Sequence, residues 1–360
     1  KERGSHIIYL SGAMAATYGV ALVVSVTLIL LGASSPVVEA LSPTSLIING
    51  KGGGHVAIGF HLAKELEKRN HKVTIIQNSD IDPNKPPFNQ YSTLPDAVEV
   101  KTVDFIEGFT LPSGGEYDYV FDNNSKAPSG PVETAVLASA RPRRCYAYVG
   151  SAGIYEKPAS HPFNSPLNED MPVTASKACA EFETALAATG VPHVFFRCQY
   201  IYGPHCGKHY LDYFLGRMEH GLPLPIPSPG TQRVSLTDVR DVASQLARVT
   251  DVETKSGSIY NVGTTNDLKW NYVELAGALA SAAGKKADVK LVDPAAKTDF
   301  PFRAVEFFVD SSKSVEELGF SGGERRVEDY AKELVKGYLA RGAIRPDTTK
   351  DEEALKGAVA

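Results

Sequence analysis

From Ser45 onward, short apolar segments alternate with segments of helical periodicity, and this alternation limits the folds that are open to the chain. Leu46–Ile48 and Val73–Ile76 have the length and content of buried strands, and Ile58–Arg69 between them carries apolar residues at helical spacing. Strands that alternate with helices form a parallel sheet covered on both faces. The same alternation continues through these predicted strands and helices: Val98–Val103, Tyr117–Phe121, Pro131–Ala140, Tyr146–Val149, Lys177–Ala188 and Val194–Phe196. The predicted fold class is therefore α/β, a Rossmann-like doubly wound parallel sheet.

A second region begins after about residue 205, where the chain becomes rich in proline (Gly221–Gly230) before the alternation resumes. We predict a Rossmann-like domain of the NAD(P)-binding type over 41–205. A smaller C-terminal α/β lobe over 206–345 is expected to join the main sheet in part, and a polar tail over 346–360 is expected to be frayed. The elements predicted in this second region are Val239–Val249, Ser258–Val262, Tyr272–Ala283, Val289–Val292 and Val327–Arg341.

The first forty residues form a separate segment, because no charged residue occurs from Ile7 to Val38. Small or β-branched residues at the -3 and -1 positions favour a secretory signal peptide cleaved after Ala40, with Lys1 and Arg3 as its basic end. An uncleaved membrane anchor is the alternative, since the run exceeds the ~20 residues that span a bilayer. We interpret residues 1–40 as a signal or targeting segment, with no stable membrane role for the protein once it is removed.

The formal net charge of -5, from 37 Lys+Arg against 42 Asp+Glu, argues against a protein that coats nucleic acid or membrane by bulk charge. A local basic patch remains compatible with it. The four cysteines have no C-x-x-C spacing, so they are interpreted as core residues or free thiols and not as a zinc site. These residues are Cys145, Cys179, Cys198 and Cys206.

A glycine-rich loop follows the first strand and leads into the first helix, in the segment Asn49–Gly59. Such a loop lets backbone N–H groups approach a pyrophosphate at the helix N-terminus. Two departures weaken the dinucleotide-binding pattern. Val56 takes the place of its middle glycine, and the second strand ends in Gln77-Asn78 without the carboxylate that holds a ribose, Asp80 coming too late. The alternative is that the glycines only turn the chain. The candidate cofactor-binding residues are Gly50, Gly53, Gly54, His55, Ile58 and Gly59.

Several later segments together resemble the extended short-chain dehydrogenase/reductase superfamily, also described as NAD-dependent epimerases/dehydratases. They are Val149–Tyr155, Arg197–Pro204, Val234–Val242 and Tyr260–Gly263. The resemblance implies a catalytic Ser at Ser151 and a catalytic Lys at Lys177.

In that superfamily a Tyr four residues before the Lys transfers the proton, and Val173 stands there in this chain. Valine can neither ionise nor donate a hydrogen bond, so ordinary dehydrogenase or epimerase chemistry is not expected. The alternative for Ser151 is a structural role as a cap at the end of a strand. The alternative for Lys177 is a solvated residue of a helix.

A narrower resemblance is to the chloroplast stem-loop-binding proteins, degenerate members of the superfamily that lack its Tyr. It rests on the segments Gly52–Phe60, Lys85–Ser92, Phe121–Lys126 and Gly150–Tyr155. This resemblance implies a plastid protein that binds stem-loop RNA, associates with ribosomes or plastid RNA polymerase, and forms a homo-oligomer or a hetero-oligomer with a related subunit. It also implies an endoribonuclease activity that depends on a metal, with Mg²⁺ as the candidate ion, but no motif fixes the metal ligands.

RNA binding requires cations for phosphates and planar groups for unpaired bases. Tyr200, Tyr202 and Tyr210 lie close in sequence to one group of cations, together with His205 and His209. The alternative for each cation is solvated surface charge. The candidate RNA-binding residues are Arg141, Arg143, Arg144, Lys208, Arg233 and Arg240.

Three functions follow from these observations. The first is a plastid protein that binds RNA and cleaves it if the nuclease activity is present. The second is a redox or nucleotide-sugar enzyme that uses NAD(P) and another proton donor, such as Tyr155 or Tyr202. The third is a non-catalytic NAD-binding scaffold. The hydrophobic leader predicts entry into the secretory route, whereas the family resemblance implies a plastid. Both hold for a complex plastid that is reached through the secretory route. The alternative is a protein that stays in the secretory pathway.

Overall fold

The structure is a computed structural model that describes residues 42–52, 55–107, 109–112, 116–156, 166–263, 270–321, 327–343 and 345–358. The predicted leader (1–40) and the loop residues Gly53 and Gly54 lie outside the described residues. Residues 42–360 belong to one compact unit. Within the described part of the chain, no helix is both long enough and apolar enough to cross a membrane.

Each strand and helix predicted from the sequence is present among the elements that the structure describes, together with several shorter ones that were not predicted. The strands are β1 (Thr44–Asn49), β2 (Lys72–Asn78), β3 (Val98–Val103), β4 (Tyr119–Asn123), β5 (Cys145–Ser151), β6 (His193–Cys198), β7 (Ile201–Tyr202), β8 (Leu224–Pro227), β9 (Arg233–Val234), β10 (Thr237–Asp238), β11 (Ser258–Val262), β12 (Trp270–Asn271) and β13 (Val289–Val292). The helices are α1 (Ile58–Glu67), α2 (Pro131–Ser139), α3 (Ala178–Ala188), α4 (Asp212–Glu219), α5 (Val239–Ala247), α6 (Tyr272–Ala283), α7 (Ser312–Leu318), α8 (Val327–Ala340) and α9 (Asp351–Lys356).

The main sheet has seven strands in the order β11-β6-β5-β4-β1-β2-β3, and all of its pairs are parallel. The predicted Rossmann-like α/β class is therefore confirmed. The chain runs from β1 outward to β3, then returns to the other side of β1 for β4. Open sheets of this kind bind ligands outside the carboxyl ends of the strands where the order reverses. The fold thus places the binding region at the ends of β1 and β4.

Both faces of the sheet are buried, which explains the nearly continuous apolar runs of its central strands. Ile47 points to one face, where it packs in a cluster with Leu62 of α1 and Leu246 of α5. Its neighbours Leu46 and Ile48 point to the other face, where α2 and α3 pack. This alternation is the period of two that strand geometry imposes.

The second half of the chain builds its own core around aromatic rings. Phe214 of α4, Tyr272 of α6 and Phe302 belong to one buried cluster with side chains of α8. Strand β11 from this half pairs with β6 at the edge of the main sheet, from Ser258 opposite Val194 onward. The division into lobes at residue 205 stays a prediction, but the pairing shows that the later chain contributes to the first sheet.

The predicted frayed tail is wrong for its central part, because Asp351 begins helix α9 and is only 2% exposed. Its carboxylate accepts a hydrogen bond from the guanidinium of Arg217 on α4, whose side chain is also 2% exposed. Arg217 in turn lies 3.9 Å from the ring centroid of Tyr213. A buried guanidinium requires a counter-charge, and the C-terminal tail supplies it.

Candidate functional site

Two adjoining cavities open at the carboxyl ends of β1, β4 and β5. The first has a volume of about 540 Å³, and the second, of about 210 Å³, shares His55, Ser151 and Gly153 with it. None of the described residues that line them carries a carboxylate. We call the two together the cationic crevice and define it by these residues: Lys51, His55, Lys126, Ser151, Lys177 and Arg303.

Lys51 is the most deeply placed cation of the crevice, with 7% of its surface exposed. Its Nζ donates a hydrogen bond to the Val149 carbonyl at the end of β5 and lies 4.7 Å from the ring centroid of Tyr148. Burial lowers the pKa of Lys51, and the nearby Asp122 carboxylate opposes that shift. Sequence reasoning did not single out Lys51, because its only signal was its position inside the glycine loop.

His55 stands beside Lys51 in the same wall. Burial, assisted by the Lys51 charge, lowers the pKa of His55 to about 3. The imidazole is therefore neutral near pH 7 and contributes hydrogen bonding to the crevice without charge. The positive charge of the crevice comes from its lysines and from Arg303.

Gly50 and Gly59 are required by close packing, whereas a Cβ on Gly52 would have no neighbour within 4 Å. A Cβ on Gly50 would lie 1.8 Å from Asn124 Oδ1, and one on Gly59 would lie 2.5 Å from Asn49 Cγ. The backbone N–H groups of Gly50 and Lys51 both donate to the Asn123 carbonyl, at 3.2 and 2.9 Å. Asn123 and Asn49, at the ends of β4 and β1, thereby hold the loop against the sheet. Ile58 is the buried first residue of α1.

The crevice fits the pyrophosphate of a dinucleotide better than its adenosine ribose. Its cations suit a pyrophosphate at the carboxyl edge of the sheet. At the end of β2, however, the Asn78 side chain accepts a hydrogen bond from the Phe105 N–H at 2.9 Å, and Asp80 lies exposed in the turn beyond the strand. The described residues therefore offer cations suited to phosphate groups, but no carboxylate at the strand end that would hold the adenosine ribose.

Ser151 and Lys177 line the same cavity, but Val173 stands where the superfamily has its catalytic tyrosine. Ser151 Oγ accepts a hydrogen bond from Gly153 N at 3.0 Å and caps the short 3₁₀ turn after β5. Lys177 precedes the first residue of α3 and is exposed. Val173 is half-buried and pairs with Tyr155 in an isolated antiparallel bridge. No hydroxyl is available at position 173 to transfer a proton.

The two alternative proton donors lie elsewhere. The Tyr155 hydroxyl donates to Asn261 Oδ1 at 2.7 Å, and burial raises the pKa of Tyr155 to about 12. Tyr202 is buried and lines a different cavity. Neither side chain is among the described residues that line the cationic crevice.

The predicted RNA-binding arginines do not form one surface. Arg141, Arg143 and Arg144 lie in the loop before β5, at the opposite edge of the sheet from the crevice. Arg143 Nε lies 2.9 Å from Asp118 Oδ1, and Arg233 Nε lies 3.1 Å from Glu306 Oε2. Their role in RNA binding stays a prediction.

Lys208 and Arg240 are brought together in another cavity, of about 250 Å³, between the loop after β7, the start of α5 and the helix α8. Two of the tyrosines noted beside Lys208 in the sequence, Tyr202 and Tyr210, are part of its wall. We call it the tyrosine cavity and define it by these residues: Tyr202, His205, Lys208, His209, Tyr210, Arg240, Leu334 and Gly337. Tyr210 also lines the cationic crevice, so the two sites are neighbours.

Among the described residues, no group of three or more His, Cys, Asp or Glu side chains is arranged to hold a metal ion. The four cysteines are free thiols, and three of them are buried, as the sequence predicted. Asp122, one of the acidic residues near the crevice, accepts hydrogen bonds from the Asn124 and Ser125 N–H groups and from the Tyr146 hydroxyl. It stabilises the turn after β4.

Comparison with known proteins agrees with this architecture. Residues 113–263 match the family described as the NAD dependent epimerase/dehydratase family. Among solved structures, UDP-glucuronic acid 4-epimerase from Bacillus cereus in complex with NAD superposes with a TM-score of 0.62 at 16% identity, covering 82% of this chain and 99% of that one. UDP-glucose 4-epimerase from Bifidobacterium longum in complex with NAD+ and UDP gives a TM-score of 0.59 at 18% identity, covering 83% of this chain and 99% of that one. At these identities the likeness shows the fold.

The sequence similarity to one curated relative extends over most of the chain. The chloroplast stem-loop binding protein of 41 kDa b from Arabidopsis thaliana, a chloroplastic protein, is 29% identical over 340 residues, which cover 88% of this chain and 86% of the relative. The resemblance found in the sequence is therefore confirmed: the chain is similar to a chloroplast stem-loop binding protein, and its residues 113–263 match the NAD dependent epimerase/dehydratase family.

Proposed function

We propose that this protein binds stem-loop RNA in a plastid and holds RNA phosphates in the cationic crevice. The observation that carries the proposal is the lining of the crevice, where three lysines and Arg303 converge without a carboxylate in a chain of net charge -5. Phosphate contacts dominate the affinity of proteins for nucleic acids, so a local concentration of cations is what such binding needs. The name of the Arabidopsis relative supports the same function.

The absence of a phenol at position 173 favours RNA binding over nucleotide-sugar chemistry. A crevice that retains Ser151 and Lys177 but has Val173 between them can still bind phosphates and cannot carry out the superfamily's proton transfer. The site is thus suited to holding an anion without changing it.

The test is the salt dependence of binding to a stem-loop RNA. Lys126 and Lys177 are exposed at the mouth of the crevice, so Lys126→Ala and Lys177→Ala should fold normally. Each should weaken binding and reduce the slope of log affinity against log salt by about 1. Lys72→Ala is the matched control, because Lys72 is an exposed lysine at the opposite edge of the sheet. Equal slopes for all three variants and the wild type would remove the crevice from the RNA-binding surface.

NAD(P) binding in the same crevice is a second candidate function, supported by the fold and by the position of the cations at the strand ends. Calorimetry with NAD and NADP tests it directly. Binding of a dinucleotide without turnover of a nucleotide-sugar would identify a scaffold, and turnover would identify an enzyme with another proton donor. RNA cleavage measured with and without magnesium tests the nuclease activity in the same preparation.

Plastid location and assembly are part of the proposal. We propose that residues 1–40 direct the protein through a signal-dependent route into a complex plastid. A fluorescent fusion of residues 1–360 should then enter the plastid, and a fusion that lacks residues 1–40 should not. Accumulation in the secretory pathway would contradict this. Sedimentation with and without ribonuclease should show whether the protein travels with ribosomes or plastid RNA polymerase. The sedimentation after ribonuclease treatment reports whether it forms an oligomer with itself or with a related subunit.

A further inference from the structure

We propose that the tyrosine cavity is the site for one unpaired base of the RNA, so that the protein recognises the loop of a stem-loop and not its paired stem. This inference rests on the proposed RNA binding and adds a second contact to it. Phosphates are held in the cationic crevice, and the adjoining cavity accepts a base that is free to leave the stack. Sequence-tolerant recognition of single-stranded RNA combines these two contacts.

The size and the walls of the cavity fit a single heterocycle. Its volume of about 250 Å³ lies below the roughly 300–1,000 Å³ of drug-sized ligand pockets, so it has room for one base and not for a base pair. Tyr210 presents aromatic surface and Leu334 aliphatic surface, and Tyr202 and Leu215, each 3% exposed, complete the wall behind them. Aromatic side chains provide the faces on which unpaired bases stack.

Among the charged side chains that line the cavity, Lys208 is the one placed to contact the phosphate that accompanies a base. Lys208 is exposed and its Nζ lies 4.7 Å from the ring centroid of Tyr210. In the described part of the chain Lys208 forms no ion pair, which leaves its charge available to a ligand. Three carboxylates also line the cavity. Asp238 and Asp212 are held by arginines, at 2.7 Å from Arg240 and 2.6 Å from Arg341, and the third belongs to the exposed Glu333.

The position of Tyr210 connects the two sites. Its side chain lines both the tyrosine cavity and the cationic crevice. On the crevice side it packs against Tyr200, with ring centroids 5.3 Å apart. An RNA strand whose backbone lies in the crevice can therefore place an adjacent base beyond Tyr210, in the cavity. A base held in a helical stem cannot reach it without unpairing.

A substitution that fills the cavity tests this proposal. Gly337 of α8 lines the cavity, and an added Cβ would meet only Arg341 Nη1, at 3.3 Å. Gly337→Leu therefore fills the cavity from a helix that tolerates leucine better than glycine. Gly277→Leu is the matched control, because Gly277 lies on the exposed side of α6 and an added Cβ has no neighbour within 4 Å.

The measurement compares an RNA hairpin with a blunt duplex of the same stem. We expect the wild type and Gly277→Leu to prefer the hairpin by roughly tenfold, the factor that corresponds to about 1.4 kcal/mol and to the loss of one stacked base. Gly337→Leu should bind both RNAs alike. Equal binding of hairpin and duplex by the wild type would overturn the base site and leave phosphate binding intact. Binding of neither RNA at moderate salt would instead refute the proposed function itself.

Crosslinking provides a readout that needs no variant. A hairpin with 4-thiouridine in its loop should crosslink, on irradiation, to the peptide that contains Tyr202 and Tyr210. The same base placed in the stem should not. Loop crosslinks confined to other peptides would refute the assignment even if every variant folded and bound RNA.

Discussion

Val173 pairs through its backbone with Tyr155, and the hydroxyl of this tyrosine donates to Asn261 at 2.7 Å. Tyr155, the tyrosine that pairs with position 173, therefore uses its hydroxyl in a buried hydrogen bond. It belongs to a small cluster with Ala152, Leu167 and Val309 and does not line the cavities at the strand ends. The chain thus has the fold of these epimerases and a valine at position 173.

Removal of the Tyr155 hydroxyl should affect stability and leave RNA binding unchanged. Tyr155→Phe leaves Asn261 Oδ1 without its buried donor, which should cost about 1–3 kcal/mol of the free energy of unfolding. Urea denaturation measures this loss, and the salt-dependent RNA assay serves as the internal control. A variant of unchanged stability and reduced RNA affinity would contradict the structural role.

The buried amine of Lys51 should make folding stability depend on pH below the usual pKa of lysine. Its pKa is lowered in the folded state, so above that lowered value the unfolded chain binds a proton that the folded chain does not. The free energy of unfolding should then rise with pH until the usual lysine range is passed. Lys51→Met should lack this rise. The free energy of unfolding is measured by urea denaturation at several pH values. The same pH dependence in the wild type and in Lys51→Met would refute this prediction.

His55 should produce the corresponding effect in acid. Its pKa is about 3 in the folded protein, so on acidification the unfolded chain takes up a proton first, near the usual pKa of histidine. Stability should fall as the pH drops from about 6.5 toward 3, by up to about 1.4 kcal/mol per pH unit. His55→Gln should lose less stability over this window. The measurement is the denaturation midpoint at several pH values, and identical losses in both proteins would contradict the prediction.

The ion pair between α4 and the C-terminal helix should be essential for stability. Asp351→Asn leaves the Arg217 guanidinium buried without its counter-charge, and we expect a loss of about 3–5 kcal/mol. Asp347→Asn, in the same tail but exposed, is the control and should change stability by less than about 0.5 kcal/mol. Equal midpoints for the two variants in urea denaturation would show that the pair contributes little.

Several elements are predicted accurately from patterns within their own residues. The predicted bounds of β3, β11, β13 and α6 coincide with the structure. Helix α6 also has a capping box between Asn271 and Glu274 and a left-handed Gly284 at its end, which are local signals of a helix. Such signals lie within the element and can be read from sequence alone.

The features that sequence reasoning missed depend on distant partners. The tail looked polar and frayed because the partner of Asp351 is 134 residues away in sequence. Lys51 looked like a loop residue because its contacts lie on β5, 98 residues later. Lys208, Arg240 and two of the tyrosines are candidates in the sequence because RNA binding needs cations and planar groups, but only the fold shows that they line one cavity.

The pairing of β11 with β6 has a consequence for any attempt to divide this protein. A fragment that ends near residue 205 would keep β6 but lose the strand that covers it, so the hydrogen-bonding edge from Val194 to Cys198 would face solvent. Exposed apolar edges of this kind pair with other chains and aggregate. The first region therefore depends on β11, a strand that begins some sixty residues after β6 ends. An isolated Rossmann-type fragment would be a poor substitute for the full chain in any binding assay.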